Sequence, residues 1–257
     1  MTMHMPDFPK GDVFEFGISK EHKLEAWGEQ LPKFEFDPKE NFFNILVPTN
    51  DTVKFKYLLG TLVYNECNVL LTGETGVGKS VIIKDFLIKS QENIVSAFVN
   101  FSGKTSCNNL KDAFEGNLEA KRKTLLGPPA GKKMVFFIDD VNMPQLEKYF
   151  AQPPNELLRQ TIDQGGFYDT KTLKFKQVTM TTFVLACGPP GGGRSPVTPR
   201  LFRHFNMIWV PNLSTQSMKQ IFSSILKGYL ETATSGSLAT FADGIIKCAV
   251  EVYQNTI

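Results

Sequence analysis

Residues 68–80 read Asn68-Val69-Leu70-Leu71-Thr72-Gly73-Glu74-Thr75-Gly76-Val77-Gly78-Lys79-Ser80. The short apolar run at the start predicts a buried strand, and the segment from Gly73 to Ser80 has the pattern G-x-x-x-x-G-K-[ST]. Behind it, Val81-Ile82-Ile83-Lys84-Asp85-Phe86-Leu87-Ile88-Lys89 sets apolar residues at helical spacing, so the glycine-rich segment is expected to join a strand to the first turn of a helix. That context gives the pattern its chemistry. Glycines let successive backbone N–H groups converge at a helix N-terminus, where they meet phosphate oxygens. Lys79 is then expected to reach the β and γ phosphates of ATP, and the Ser80 hydroxyl to ligate Mg²⁺, with Gly73, Glu74, Thr75, Gly76, Val77 and Gly78 lining the cradle.

Outward from this segment, strand and helix alternate. Val53, Phe55, Leu58, Leu59, Leu62 and Val63 give residues 52–65 a helical pattern; residues 94–101 predict a second strand, 110–124 a polar-faced helix, and 134–138 a wholly apolar third strand. Residues 180–187 and 206–210 complete five strands, whose continuous apolar character predicts a parallel sheet covered by helices on both faces. The fold class is therefore α/β, a doubly wound five-stranded parallel sheet. Turn residues around aromatic segments at 165–177 predict an inserted hairpin. Helical patterns at 214–229 and 238–254, with a Ser/Thr/Gly loop at 232–237, predict a partial C-terminal helical lid. Residues 1–45, with Phe34, Phe36, Phe42 and Phe43 but no sustained periodicity, read as an extended arm on a neighbouring surface. The expected division is an arm at 1–45, a nucleotide-binding domain at 46–212 and a lid at 213–257.

The apolar strand Met134-Val135-Phe136-Phe137-Ile138 ends in Asp139-Asp140, two carboxylates at the sheet edge where ligands bind. This is a Walker B arrangement: Asp139 is expected to hold Mg²⁺, directly or through water. The alternative is a pair of helix N-caps, which the preceding strand and the upstream cradle disfavour. Phe98, Phe101, Phe136, Phe137 and the stretch near Trp209 are read as core.

Composition narrows the partners. Of 257 residues 42% are apolar and 21% charged, enough apolar material for a sizeable core. A net charge of +2 gives no general reason to expect nucleic acid or an anionic membrane. Met1-to-Lys20 interleaves Asp7, Lys10, Asp12 and Glu15 with its apolar residues, unlike a signal peptide, and the longest charge-free run, 177–193, carries two prolines and four glycines, unlike a membrane span. Cys67, Cys107, Cys187 and Cys248 show no CxxC spacing and read as reduced core cysteines of a soluble intracellular protein. His4, His22 and His204 lack partners at zinc-ligand spacing, and Ser195 lacks a GxSxG elbow.

A longer set of motifs resembles a known family. Ile138-Asp139-Asp140-Val141-Asn142-Met143-Pro144, Ala151-Gln152-Pro153-Pro154-Asn155-Glu156-Leu157-Leu158-Arg159-Gln160, Gly188-Pro189-Pro190-Gly191-Gly192-Gly193-Arg194 and Thr198-Pro199-Arg200-Leu201-Phe202-Arg203-His204-Phe205 are similar to the third AAA+ module of axonemal dynein heavy chains. Val47-Pro48-Thr49 with Asp51-Thr52 resembles that family's adenine-side loop, adding Pro48 and Thr49 to the candidate nucleotide contacts. The resemblance covers residues 35 to 230. It implies the P-loop NTPase AAA+ fold within a six-module ring, where the third module regulates the main ATPase site. It further implies partners in the neighbouring modules and other dynein chains, microtubules only through the full assembly, and a place in the cytoskeleton of the cytoplasm and ciliary or flagellar axoneme.

Family roles carry over unevenly. Asp140 stands where AAA+ ATPases usually have the glutamate that polarises the attacking water; it is one methylene shorter, and a displacement of about 1 Å can cost roughly a hundredfold in rate. Arg200 and Arg203, just before the fifth strand, stand where an arginine finger reaches the adjacent module's nucleotide, Arg203 being the first choice. At the sensor 1 position, Ala186-Cys187-Gly188 offers no side chain to orient water, and no arginine after Ser214 can serve as sensor 2. Slow, regulatory hydrolysis is the first expectation; a module in which bound ATP or ADP only rigidifies the ring is the second, and a free-standing P-loop ATPase or kinase the third.

Overall fold

The computed structural model describes residues 12–19, 21, 23–39, 45–169, 172–234 and 241–256. The chain opens on an antiparallel hairpin, β1 (Phe16–Ile18) with β2 (Leu24–Ala26), followed by α1 (Asn50–Tyr64). Then come β3 (Val69–Thr72), α2 (Lys79–Lys89), β4 (Ile94–Asn100), α3 (Cys107–Asn117), β5 (Glu119–Arg122), β6 (Leu125–Gly127) and β7 (Lys133–Asp139). After these follow α4 (Pro153–Gln164), β8 (Gly166–Tyr168), β9 (Phe175–Val178), β10 (Thr181–Cys187), α5 (Pro199–Phe202), β11 (Asn206–Trp209), α6 (Thr215–Thr234) and α7 (Ala242–Thr256).

The five expected strands form one parallel sheet in the order β11-β3-β10-β7-β4. Its centre is apolar because helices cover both faces: Val69, Leu70, Leu71, Phe136, Phe137, Ile138, Val184 and Leu185 are all fully or almost fully buried. Strand β10 lies between β3 and β7 although it follows both in the chain. Its register, Cys187 opposite Thr72 and Leu185 opposite Ile138, brings the C-terminal ends of the three strands to one edge.

A second sheet, β5-β6-β9-β8, was only half anticipated. The expected hairpin at 165–177 is present as β8 and β9, paired Gly166 to Gln177 and Tyr168 to Phe175; Thr170 and Lys171 at its turn lie outside the described residues. The helix expected over 110–124 is shorter and earlier. Ser106 and Asn109 form a reciprocal capping box that starts α3 at Cys107, and the helix stops at Gly116-Asn117, both poor helix formers. Glu119–Arg122 then extends as β5, all four residues exposed.

Further corrections concern burial and the ends of the chain. Phe98 and Trp209, read as core, are 45% and 68% exposed because they stand on the edge strands β4 and β11. Of the four cysteines, all unpaired, only Cys187 is buried; Cys248 is exposed. The N-terminal segment is not continuously extended: between residues 12 and 30 it forms the β1-β2 hairpin, with Trp27 buried and its Nε1 donating to the Phe14 carbonyl at 3.1 Å. Met1, Asp7, Lys10, Lys20, His4, His22, Phe42, Phe43 and Leu238 lie outside the described residues.

By contact density the chain divides into two compact units, Leu58–Asn212 and Met1–Tyr57 with Leu213–Ile257. The first has a core that includes Leu70, Phe114, Phe136, Ile138, Leu158, Phe183 and Leu201; the second has a smaller one of Met218, Ala242, Ile246 and Val250.

Candidate functional site

Strand β3 ends at Thr72, and the chain turns at once at Gly73, whose φ of 156° accompanies a close approach to β11: a Cβ there would stand 2.3 Å from the Val210 carbonyl oxygen. Only glycine fits that gap. Gly76 and Gly78 have φ of 87° and 90°, and a Cβ on either would meet nothing within 4 Å, so the loop encloses open space rather than packed side chains. Helix α2 starts at Lys79 with no side-chain cap, which leaves its first-turn amides to accept an anion. Backbone donors and open space of this kind are what a P-loop offers a phosphate.

Lys79 Nζ donates to the carbonyls of Gly73 at 2.8 Å and Glu74 at 2.7 Å. Burial lowers its pKa below the ordinary lysine value, and the nearby Arg194 charge acts in the same direction while Asp139 and Asp140 oppose it. The strand register places the ends of β3 and β7 on either side of β10 at one sheet edge, which brings Lys79, Asp139 and Asp140 to the same side of the sheet.

Strand β7 delivers Asp139 to the same edge, where its Oδ1 accepts from the Asp140 amide at 3.1 Å. Asp140 then adopts φ 53°, a left-handed conformation uncommon for a side-chain-bearing residue, before the Val141 amide donates to the Ala186 carbonyl at 3.1 Å. The kink turns the Asp140 side chain out of the strand, 46% exposed, with one oxygen 3.8 Å from Arg194 Nη2.

Buried amides hold the loop beyond. Asn142 Nδ2 donates to the Gly188 carbonyl at 2.8 Å and Asn155 Nδ2 to the Val141 carbonyl at 2.9 Å, while Gln152 Nε2 donates to the Pro144 carbonyl at 2.7 Å. These residues lie in the motifs of the resemblance, but nothing in their local spacing identifies them as braces across 14 or 46 residues of chain.

At the sensor 1 position, Cys187 Sγ turns toward Thr72 Oγ1 at 3.7 Å, its thiol pKa raised by burial, and Gly188 contributes only backbone. A residue that sequence reasoning gave no role fills the space. Arg194 Nη1 donates to Thr75 Oγ1 in the glycine-rich loop at 3.1 Å, and a Cβ on Gly188 would come within 3.3 to 3.4 Å of the guanidinium and its stem. The sequence signal was the glycine run directly before it.

Arg203, Pro48 and Thr49 have partners of their own. Arg200 is exposed on α5; Arg203 does not abut β11 but is separated from it by His204 and Phe205, and its Nη2 donates to Asp163 on α4 at 3.0 Å. Among the described residues neither arginine bonds to residues 73–80. Desolvation pushes the Asp163 carboxyl up, but hydrogen bonds and charge from Arg203, His204 and Arg159 outweigh it and hold the group below the ordinary value. Pro48 and Thr49 belong to the other compact unit, where the Pro48 carbonyl accepts from Gln220 and the Thr49 amide donates to Thr52 Oγ1 at 2.7 Å. No group of three His, Cys, Asp or Glu side chains suited to a metal occurs among the described residues; Mg²⁺ bound through one hydroxyl, one carboxylate and phosphate oxygens requires none.

Comparison with known proteins agrees with this geometry. A 247-residue stretch is 46% identical to dynein axonemal heavy chain 6 of Homo sapiens, covering 95% of this chain and 6% of that protein. Dynein axonemal heavy chain 1 of Homo sapiens is 43% identical over 240 residues, 88% of this chain and 6% of its own length. Dynein axonemal heavy chain 3 of Mus musculus is 36% identical over 256 residues, again 97% of this chain but 6% of the relative. The family model described as the P-loop containing dynein motor region matches residues 34–213, well over half of the sequence, and the chain belongs to that family.

Proposed function

We propose that this chain is an ATP-binding AAA+ module of an axonemal dynein heavy chain, the third of its ring, which binds Mg·ATP and hydrolyses it slowly in a regulatory role. The observation that carries the reading is the convergence of the ends of β3 and β7, with Lys79, Asp139 and Asp140, at one sheet edge beside an open glycine cradle. Gly73 to Ser80 bind the phosphates, with Glu74, Thr75 and Val77 contributing backbone. Ser80 and Asp139 hold Mg²⁺, which when bound neutralises phosphate charge and polarises the terminal phosphoryl group. Asp140 orients water, Pro48 and Thr49 border the adenine, and residues 1–45, 46–212 and 213–257 act as arm, nucleotide-binding domain and partial lid.

Arg203, with Arg200 as the alternative, serves the neighbouring module's nucleotide. The surrounding modules and other dynein chains are then its partners, and microtubule-based movement in the axoneme of cilia or flagella is a property of the full assembly. A second reading, a module that binds ADP or ATP without turnover, is favoured by one observation: Arg194 Nη2 stands 3.8 Å from the Asp140 carboxylate, a charge attraction that competes with the orienting of a water.

Calorimetry with Mg·ATP on the full 257-residue chain and on Lys79→Ala tests binding, and phosphate release tests turnover. Binding in the parent that falls at least about tenfold in the variant is expected, since charge-assisted hydrogen bonds to phosphate are lost. Slow release abolished by Asp140→Asn supports the regulatory ATPase; binding without release supports the second reading; equal binding by parent and Lys79→Ala refutes the P-loop assignment.

A further inference from the structure

We infer that Arg194 is a phosphate-sensing residue of this same chain, placed to bind the terminal phosphate of a nucleoside triphosphate and so to distinguish triphosphate from diphosphate. The inference deepens the nucleotide-site reading and rests on it.

The loop after β10 is built to present this side chain. Gly191, Gly192 and Gly193 have φ of 122°, 56° and 86°, three consecutive conformations that side-chain-bearing residues rarely adopt. They let Gly191 and Arg194 exchange reciprocal N–H to carbonyl bonds of 3.0 Å, which close a tight turn, and the Ser195 amide is fastened to the Asn142 carbonyl at 2.9 Å. Asn142 also grips the Gly188 carbonyl, so both ends of the loop are tied to the segment that carries Asp139 and Asp140. The absent side chain at Gly188 provides the floor on which the guanidinium lies. Glycine at the sensor 1 position thus accompanies a substitute group from six residues further along.

The guanidinium is held but not saturated. Nη1 is bonded to Thr75, inside the phosphate-binding loop, and Nη2 is 3.8 Å from the Asp140 carboxylate, a distance for charge attraction rather than a hydrogen bond. Nε is buried and, among the described residues, has no hydrogen-bond partner, an expensive arrangement for a charged donor group. A phosphoryl group placed between Lys79, Arg194 and the loop amides would meet two cations and, at Nη1 and Nη2, the paired donors of a planar guanidinium already aimed at the phosphate-binding loop and at Asp140. A triphosphate carries one phosphoryl group more than the diphosphate, and that group is the one assigned to Arg194.

The test compares the full 257-residue chain with Arg194→Ala and Arg194→Lys, each titrated calorimetrically with Mg·ADP and with a non-hydrolysable Mg·ATP analogue, after circular dichroism has established folding. The expected result is a loss of at least about tenfold in affinity for the triphosphate in Arg194→Ala, with the diphosphate changed by less than about twofold. Arg194→Lys keeps the charge without the fork and is expected to fall between the two; it carries the test alone where the alanine variant does not fold. Equal losses for both nucleotides would assign Arg194 to propping the loop through Thr75 and overturn the inference, as would no change in either. A parent chain that binds neither nucleotide removes the underlying site reading, an outcome distinct from a parent that binds both with an indifferent Arg194.

Discussion

Two glycines of one loop are there for different reasons, and substitution separates them. At Gly73 an added Cβ collides with backbone, the Val210 carbonyl 2.3 Å away, and backbone pinned by the β11-β3 ladder cannot step aside. At Gly76 the added atom meets only open space and the whole cost is the left-handed φ of 87°. Gly73→Ala is therefore expected to destabilise the chain by about 2 kcal/mol or more through overpacking, and Gly76→Ala by about 1 kcal/mol through backbone strain alone. Urea unfolding of both variants measures the difference. Equal costs would mean that the Gly73 contact with β11 is not what fixes the residue type.

Among the elements, α3 shows how a helix too polar to stand alone is retained. Its buried residues are Leu110, Lys111 and Phe114, and Phe114 is the hub: its ring centroid lies 4.9 Å from Phe136 of β7, 5.8 Å from Phe167 of β8 and 5.8 Å from Phe183 of β10. One side chain thus binds a helix to both sheets. Phe114→Ala is expected to cost about 3 to 5 kcal/mol in equilibrium unfolding, and a loss below about 1 kcal/mol would show that the aromatic cluster closes over the gap. The same helix marks where local sequence stops being informative. Its core face and the three central strands could be read because periodicity records burial directly. Strand β5 could not: Glu119-Ala120-Lys121-Arg122 has no apolar face, and it is extended only because β6 pairs with it. Phe98 and Trp209 misled for the converse reason, since apolar character does not distinguish a central strand from an edge.

For the whole molecule, each compact unit has its own tryptophan. Trp27 is buried in the unit of Met1–Tyr57 and Leu213–Ile257, and Trp209 stands on β11 opposite Thr72, the last residue before the phosphate loop. With Trp27→Phe, fluorescence follows the unit that carries the candidate site; with Trp209→Phe, it follows the other. Mg·ATP at a hundredfold excess over Kd is expected to stabilise the Trp209-reported transition by about 2.7 kcal/mol, and the Trp27-reported one by less. Identical shifts in thermal or urea melts would show that the units unfold as one. The glycine cradle, Asp139 and the sheet could be read at this scale because motif and strand are contiguous. Arg194 could not, because its partner Thr75 is 119 residues away and only the assembled sheet brings them together.

The position of β10 also has a consequence for biogenesis. A ribosome that has made Gly73 to Ser80 and then Asp139 has produced both halves of the site, yet these halves flank a slot that belongs to Thr181–Cys187. Strands in a sheet are about 4.8 Å apart, so until that late segment inserts, β3 and β7 either stay about 10 Å apart with unpaired edges or pair wrongly. Pairing of that late segment joins β3 to β7 in one long-range step, so the two halves of the site are brought together by the last central strand rather than by the motif that announces them.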